Sequence, residues 1–360
     1  MLKSSFFNLI KNIKFQLSCI FIVMIYVITL LVIEHKQENY GEKIYPILKV
    51  KDQVNKIASN VDVGLHINNF PVFEIYQNNF SLDAIVWFRF PIGTESIDTI
   101  DKFNFKNGDI ISKSLPMIRK TGNDVTVAYQ VKVNFKAYLN YKYFPIGDHR
   151  LNMIIENRSV TPNELCFNSD LNNFILADDI LVSTWHPTKK IVQSGFIKSI
   201  LEKNNDNTAE ISMSYPCAVF TINFENSSLR DLVTLYFPMY VIFFICLFTL
   251  MMEIPEYVQR MAIISSAMPI LVLFRTVILQ LSPSMGEVTK ADFTYFLLVF
   301  LSLIILIFQA YILLVMKKIS NYNKETQNRK IALLEKLNNI MLLIILLILI
   351  ILLTQNIFFS

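Results

Sequence analysis

The chain has 360 residues, is 53% hydrophobic and carries a formal net charge of +4. With a mean hydropathy of +0.42 it is too apolar for an ordinary soluble domain and fits a membrane protein with one polar portion. Eight glycines and twelve prolines exclude collagen-like or Gly-rich disordered character, and the basic residues form no aromatic-interleaved patch for nucleic acid.

A hydrocarbon core of roughly 30 Å takes about 20 residues of apolar helix. The first such run is 15–33, FQLSCIFIVMIYVITLLVI, preceded by Lys3, Lys11 and Lys14. Basic flanks mark the cytoplasmic side, so the N-terminus is expected inside and the following residues outside. The exit reads IEHKQENYGEK, without the small-x-small site of a cleaved signal peptide. Residues 1–34 are therefore expected to stay as a leader and anchor helix, with cleavage the alternative. A linker follows at 35–59, with a short helix at 46–58.

Residues 60–230 are long enough for one polar domain with its own core. VTVAYQVKVNF (125–135) alternates strictly and places Val125, Val127, Tyr129, Val131, Val133 and Phe135 on one face, the pattern of a half-buried strand. The runs 82–90, 149–155 and 217–224 behave similarly. Turn signals separate them at KNGD (106–109), TGND (121–124), NSDLNN (168–173) and EKNNDN (202–207). Many short strands with polar turns imply an antiparallel β-sandwich. Cys166 and Cys217 are expected as separate buried thiols, a disulfide being the alternative. No catalytic motif, nucleotide loop or metal-ligand spacing occurs. No enzyme activity, cofactor or metal is expected, and His149 beside Asp148 reads as a turn residue next to a capping carboxylate.

Residues 231–360 contain four further apolar runs, at about 233–252, 257–281, 293–316 and 339–359. The loop 317–337 carries Lys317, Lys318, Lys324, Arg329, Lys330 and Lys336, which places it inside together with the N-terminus. The expected location is the cell membrane, multi-pass, with the sandwich extracellular or periplasmic. The run 258–281 differs from its neighbours, because it holds two arginines, two serines, a threonine, two glutamines and a proline. At about 100° per residue, Ala262, Ser266, Pro269, Leu273, Thr276 and Gln280 fall on one stripe, polar at both ends and apolar in the middle. A water-lined path and a helix–helix interface both explain such a stripe.

The order of parts resembles the pentameric ligand-gated ion channel family over about residues 60–360. The family places a [FY]-P-F-D-x-Q-x-L element between its sixth and seventh strands; in NYKYFPIGDHRLNMIIEN (140–157), Phe144, Pro145, Ile146 and Leu151 match it in type and spacing. Trp87 looks like the tryptophan of the family's second strand. Pro238, Arg260, Pro283 and Asp292 stand at the family's separations for the first-helix proline, the basic start of the pore helix, its end and the residue beyond. The chain departs from the pattern in having no cysteines to bracket the loop. Gly147 stands where the family has Asp, with Asp148 next, and Asn226 stands near the expected arginine, for which Arg230 is a substitute one helical turn on.

The resemblance implies a homopentamer in membrane lipid, opened by a small molecule or protons and conducting ions through a pore lined by 258–281. Phe144, Pro145, Gly147, Asp148 and Arg230 would couple the outer domain to the helices. Pro269 occupies the usual gate-leucine position, as a hinge or a fixed bend, which leaves Leu273 as the constriction. Arg275 lies off the stripe, either paired with Glu287 or Asp292 or reaching toward the headgroups. Glu253, Glu256 and Gln259 sit at the cytoplasmic mouth with Arg260 opposing them, a balance that favours cations. By position, Trp87, Arg89, Phe103, Phe105, Arg158 and the hairpin 193–214 are the ligand candidates, Trp87 and the phenylalanines being equally readable as core. The alternative is a non-conducting membrane sensor of the same fold, for which the additional first helix is the best argument.

Overall fold

The computed structural model describes residues 11–36, 40–48, 58–178, 180, 182, 184–203, 210–283, 288–319 and 322–358. They divide into two compact units. One comprises Asn39–Asn140 and Gly147–Ser227; the other comprises Met1–Glu38, Tyr141–Ile146 and Ser228–Ser360.

The first unit is a β unit. Its strands are β1 (Ser59–Glu74), β2 (Asn79–Pro91), β3 (Asn104–Lys106), β4 (Gly108–Lys113), β5 (Met117–Thr121), β6 (Asp124–Lys136), β7 (His149–Glu156), β8 (Leu165–Asn168), β9 (Phe174–Leu176), β10 (Trp185–Lys203) and β11 (Glu210–Asn226). Among the described residues they follow the order β10-β11-β7-β3-β4-β6-β2-β1-β8, with β5 on β6 and β9 on β1. The alternation expected in β6 is realised: Val125, Val127, Tyr129, Val131, Val133 and Phe135 are all buried. Side chains one residue out of step stay half-buried or exposed, so a one-residue slip would invert the strand. Aromatic rings fill the core between strands. Phe80 stacks on Phe135 at 4.8 Å, and Phe88 meets Phe103 at 5.1 Å and Phe167 at 5.8 Å.

Two expected turns take backbone conformations suited to their residues. Asn107, between β3 and β4, has φ 60°, and Gly122, between β5 and β6, has φ +61°. Asn and Gly enter this region at least cost. Two expectations are corrected. The sheet is not purely antiparallel, because β8 and β9 run parallel to β1; four- and three-residue strands are too short to show a period in sequence. Of the helix expected at 46–58, residues 46–48 are described and are not helical. Tyr40 bridges Asp148, and Leu48 bridges Phe196 with N–H···O distances of 3.0 Å in both directions. The rest of 46–58 lies largely outside the described residues.

The second unit contains five described helices long and apolar enough to cross a membrane: α1 (Ile13–Lys36), α2 (Leu229–Phe248), α3 (Tyr257–Leu281), α4 (Lys290–Ile319) and α5 (Lys324–Phe358). α2 opens with Ser228, whose Oγ accepts from the Asp231 N–H, the usual remedy for an orphan donor at a helix start. α5 corrects the expected loop 317–337. It begins at Lys324, with Glu325 and Arg329 paired at 3.1 Å and Leu334 buried against Ile254, Ile312, Met316 and Ile319. α1 packs on α5 through two polar contacts, Gln16 Nε2 to Asn339 Oδ1 at 3.1 Å and Tyr26 with Thr354 at 2.7 Å.

Cys166 and Cys217 are buried in the β unit and are not joined in a disulfide. Burial pushes the Cys217 thiol up to about 12, with Glu156 adding to the effect and Lys106 opposing it. A raised thiol pKa favours the protonated form, so this contribution to stability holds below the ordinary thiol range and is lost as pH rises through the folded value. Native protein at mildly alkaline pH should therefore leave Cys217 unmodified by iodoacetamide, and denaturant should make it react. Peptide mapping that finds Cys217 alkylated in the native state would refute this burial.

Candidate functional site

The loop Tyr141–Ile146 belongs to the helical unit, and the reason is visible in its backbone. The first N–H groups of a helix have no partner within the helix. At the start of α4, Lys290 N–H donates to the Lys142 carbonyl at 2.9 Å and Ala291 N–H to the Phe144 carbonyl at 3.2 Å. The loop is itself closed by two turns, Phe144 N–H to Tyr141 O at 2.9 Å and Ile146 N–H to Tyr143 O at 3.0 Å. Tyr141, Phe144 and Ile146 are buried, and the Phe144–Pro145 peptide is cis.

Lys290 is held a second way. Its ammonium makes a buried ion pair with Glu34 in the last turn of α1, with side-chain exposures of 5% and 7%, and stands 4.9 Å from the Tyr143 ring centroid. In the first turn of α4, Asp292 accepts from the Thr289 N–H at 2.9 Å and from its hydroxyl at 3.0 Å, and pairs with Arg275 of α3. Arg275 also lies 5.6 Å from the Tyr295 ring and 5.2 Å from the Phe296 ring. Of the two expected partners for Arg275, Asp292 is the one seen; Glu287 lies outside the described residues. α3 ends at Leu281, just before the buried Pro283.

Along α3, Ala262, Ser266, Pro269, Leu273, Thr276 and Gln280 are all exposed, Leu273 at 66%. The opposite side, Ile264, Ala267, Leu271 and Ile278, is buried against the chain's own helices. Ser266 and Thr276 each donate to a carbonyl in their own helix at 2.8 Å, from Ile263 and Leu273 respectively. At the N-terminal end, Glu253, Glu256 and Gln259 are exposed. Arg260 corrects the expectation that it faces them. It is 0% exposed, its Nε donates to the Thr249 carbonyl at 2.8 Å, and Nη2 donates to Asn338 Oδ1. Gln309 donates to the Thr249 hydroxyl at 3.1 Å, so α2, α3, α4 and α5 share one buried polar knot. A guanidinium in an apolar bundle is tolerable only with such partners.

In the β unit, Asp148 is buried and accepts the Asn226 backbone N–H at 3.0 Å, while Asn226 Nδ2 donates to Tyr76 at 3.3 Å. Arg230 is exposed on the first turn of α2. Gly147 is buried beside Asp148. His149 is no turn residue: it begins β7, is buried, and its Nδ1 lies 2.8 Å from Glu42 Oε1. Glu42 accepts from the backbone N–H groups of Asn140 at 2.8 Å and Arg150 at 3.0 Å.

The ligand candidates divide. Phe103 and Phe105 are buried core, as their second reading held. Trp87 is half-buried over Gly64, where a Cβ would collide with the indole, and Arg89 lies 5.7 Å from its ring centroid while pairing with Asp62 at 2.9 Å. Arg158 pairs with Glu156 at 2.6 Å. The hairpin 193–214 is β10 and β11, its tip lying outside the described residues. Glu34 and Glu42 are the polar anchors that sequence reasoning did not select. No protein-family model matches the chain, and no curated protein matches it.

The Arg275–Asp292 pair carries a stability prediction. Removing one partner of a fully buried pair costs about 3–5 kcal/mol; Arg275 keeps 28% exposure, so Asp292→Asn is expected to cost about 2–3 kcal/mol, measured by thermal unfolding in detergent. In a double-mutant cycle with Arg275→Gln the two effects should be non-additive. Additive effects would show that the residues act separately.

Proposed function

We propose that this chain is one subunit of a homopentameric ligand-gated ion channel whose pore is lined by α3. The observation that carries the proposal is the exposed stripe Ala262, Ser266, Pro269, Leu273, Thr276 and Gln280, on the side of α3 away from the buried Ile264, Ala267, Leu271 and Ile278. A stripe with polar ends and an apolar centre suits a water-filled path with a hydrophobic constriction, and lipid is a costly alternative surface for its Ser, Thr and Gln. Leu273, a large apolar side chain at the middle of the stripe and 66% exposed, is the constriction.

In this reading the β unit is an extracellular or periplasmic sandwich. A small molecule or protons bound there bias a closed–open equilibrium by their differential affinity for the two states. The loop Tyr141–Ile146 passes the change to α4 through the carbonyls that cap it, and the N-terminus lies in the cytoplasm. Exposed Glu253 and Glu256 ring the inner mouth five-fold, and burial of Arg260 turns the opposing guanidinium away from the exposed face, which favours cations.

Currents from the purified protein in planar bilayers, with a small-molecule and pH screen, test the proposal. Ser266→Cys and Thr276→Cys channels should be blocked by a cationic thiol reagent, and Ala267→Cys and Leu271→Cys channels should not. Absent currents would favour the non-conducting sensor, and equal block at all four positions would remove α3 from the pore. Selectivity has a separate check: in asymmetric salt, Glu256→Gln should move the reversal potential away from that of an ideal cation channel. An unmoved potential would take Glu256 out of the mouth.

A further inference from the structure

We infer that a cleft in the helical unit, where α1 begins, binds the headgroup of a zwitterionic aminophospholipid, a phosphate joined to a primary ammonium. The inference does not need the channel reading. Glu253 figures in both, so its readout is lipid retention and not current.

The cleft has a volume of about 400 Å³ and is lined from three places in the chain, within residues 11–16, 251–254 and 335–339. Sites for small ligands run from about 300 to 1,000 Å³. Its position follows from the sequence. The first apolar run opens at 15, the second closes at 252 and the last opens at 339. Three separate segments therefore pass from polar to apolar sequence at the cleft, which is headgroup height for helices that cross a bilayer.

The floor is fixed by the bundle. Asn338 is buried, with Oδ1 accepting from Arg260 and Nδ2 donating to the Leu250 carbonyl. Beside it, Asn339 Oδ1 accepts from Gln16 at 3.1 Å. Three groups then remain to meet a ligand. Lys11 pairs with Glu335 at 2.9 Å but is 69% exposed, and an exposed pair contributes little, so the ammonium can turn to another anion. Asn339 Nδ2 has no acceptor among the described residues, and the exposed Glu253 carboxylate has no side-chain partner among them. Glu253 nonetheless faces the lysine: it adds to the effect of Glu335, which holds the Lys11 ammonium above the ordinary lysine range.

That set selects a class of headgroup. One lysine against two carboxylates is unlike the basic pockets that take polyanionic lipids. A phosphate suits Lys11 and Asn339 Nδ2, and an ammonium suits Glu253. A primary ammonium donates three hydrogen bonds, whereas a trimethylated amine donates none, so Glu253 distinguishes ethanolamine from choline. The half-buried Met251 and Met252 give the cleft an apolar side for the glycerol end of the lipid.

The test uses the purified full chain in nanodiscs holding equal amounts of phosphatidylethanolamine and phosphatidylcholine with the same acyl chains. Native mass spectrometry should find the ethanolamine lipid retained over the choline lipid by about tenfold, as charge-assisted hydrogen bonds at one site allow. Glu253→Gln and Lys11→Gln should each remove most of this preference. Lys11→Arg should keep it, which separates loss of the phosphate partner from loss of the fold. Equal retention of the two lipids by the wild type, meaning annular lipid only, overturns the inference. So does a preference unchanged in both glutamine variants. A second arm adds soluble O-phosphoethanolamine to the protein in phosphatidylcholine alone, where no retention is expected without a bilayer anchor. Its retention, with no preference between the lipids, would assign the cleft to a soluble zwitterion and overturn the lipid source.

Discussion

The start of helix α4 is the point on which the second unit turns. Its leading N–H groups need acceptors that the helix cannot provide, and the loop from the β strands provides two of them as backbone carbonyls. Because these bonds are made by main chain, they constrain the path of residues 141–146 more than their identity. The side chains then specify the seat: Lys290 turns to α1 and Asp292 to α3, so three helices and the loop converge on three consecutive residues of one turn.

The same requirement explains the other polar groups among the apolar helices. Each charged or amide side chain placed deep in the bundle has its partner on another helix: Arg260 with Asn338, Arg275 with Asp292, Glu34 with Lys290 and Gln16 with Asn339. Where van der Waals packing of Leu and Ile is similar in any rotation, such pairs fix which face of a helix meets which neighbour. α3 shows the result. With Arg260 and Arg275 committed to the chain, its remaining polar residues are left on the outward side.

Much of this could be read from the sequence, for physical reasons that differ by element. β6 was legible because a period of two over eleven residues leaves no other structure that buries Val125 to Phe135 together. The five apolar helices were legible from length and hydropathy alone. The start of α5 was not, because its first turns carry Lys and Arg on one side and show their apolar side only when Leu334 meets Ile254 and Ile312. The short parallel strands β8 and β9 were hidden because so few residues carry no period. In the candidate site, the stripe on α3 follows from helical spacing, and Asp292 was one of two partners open to Arg275. The inward turn of Arg260 was not foreseen, since its partner Asn338 lies 78 residues away. Glu34 and Glu42 were invisible for the same reason, their partners lying 256 and about 100 residues distant.

The length of α5 sets a geometric consequence. Its 35 residues span about 52 Å at about 1.5 Å per residue, against roughly 30 Å of hydrocarbon in a bilayer. Were α5 to cross a bilayer, about 20 Å of continuous helix would stand clear of the lipid tails or lie tilted among the headgroups. The end available for this is the one that carries Lys324, Arg329, Lys330 and Lys336. Each such cation near an anionic leaflet adds about 1 kcal/mol of attraction. The helix would then sense the charge of its bilayer along a rigid rod joined directly to its apolar part.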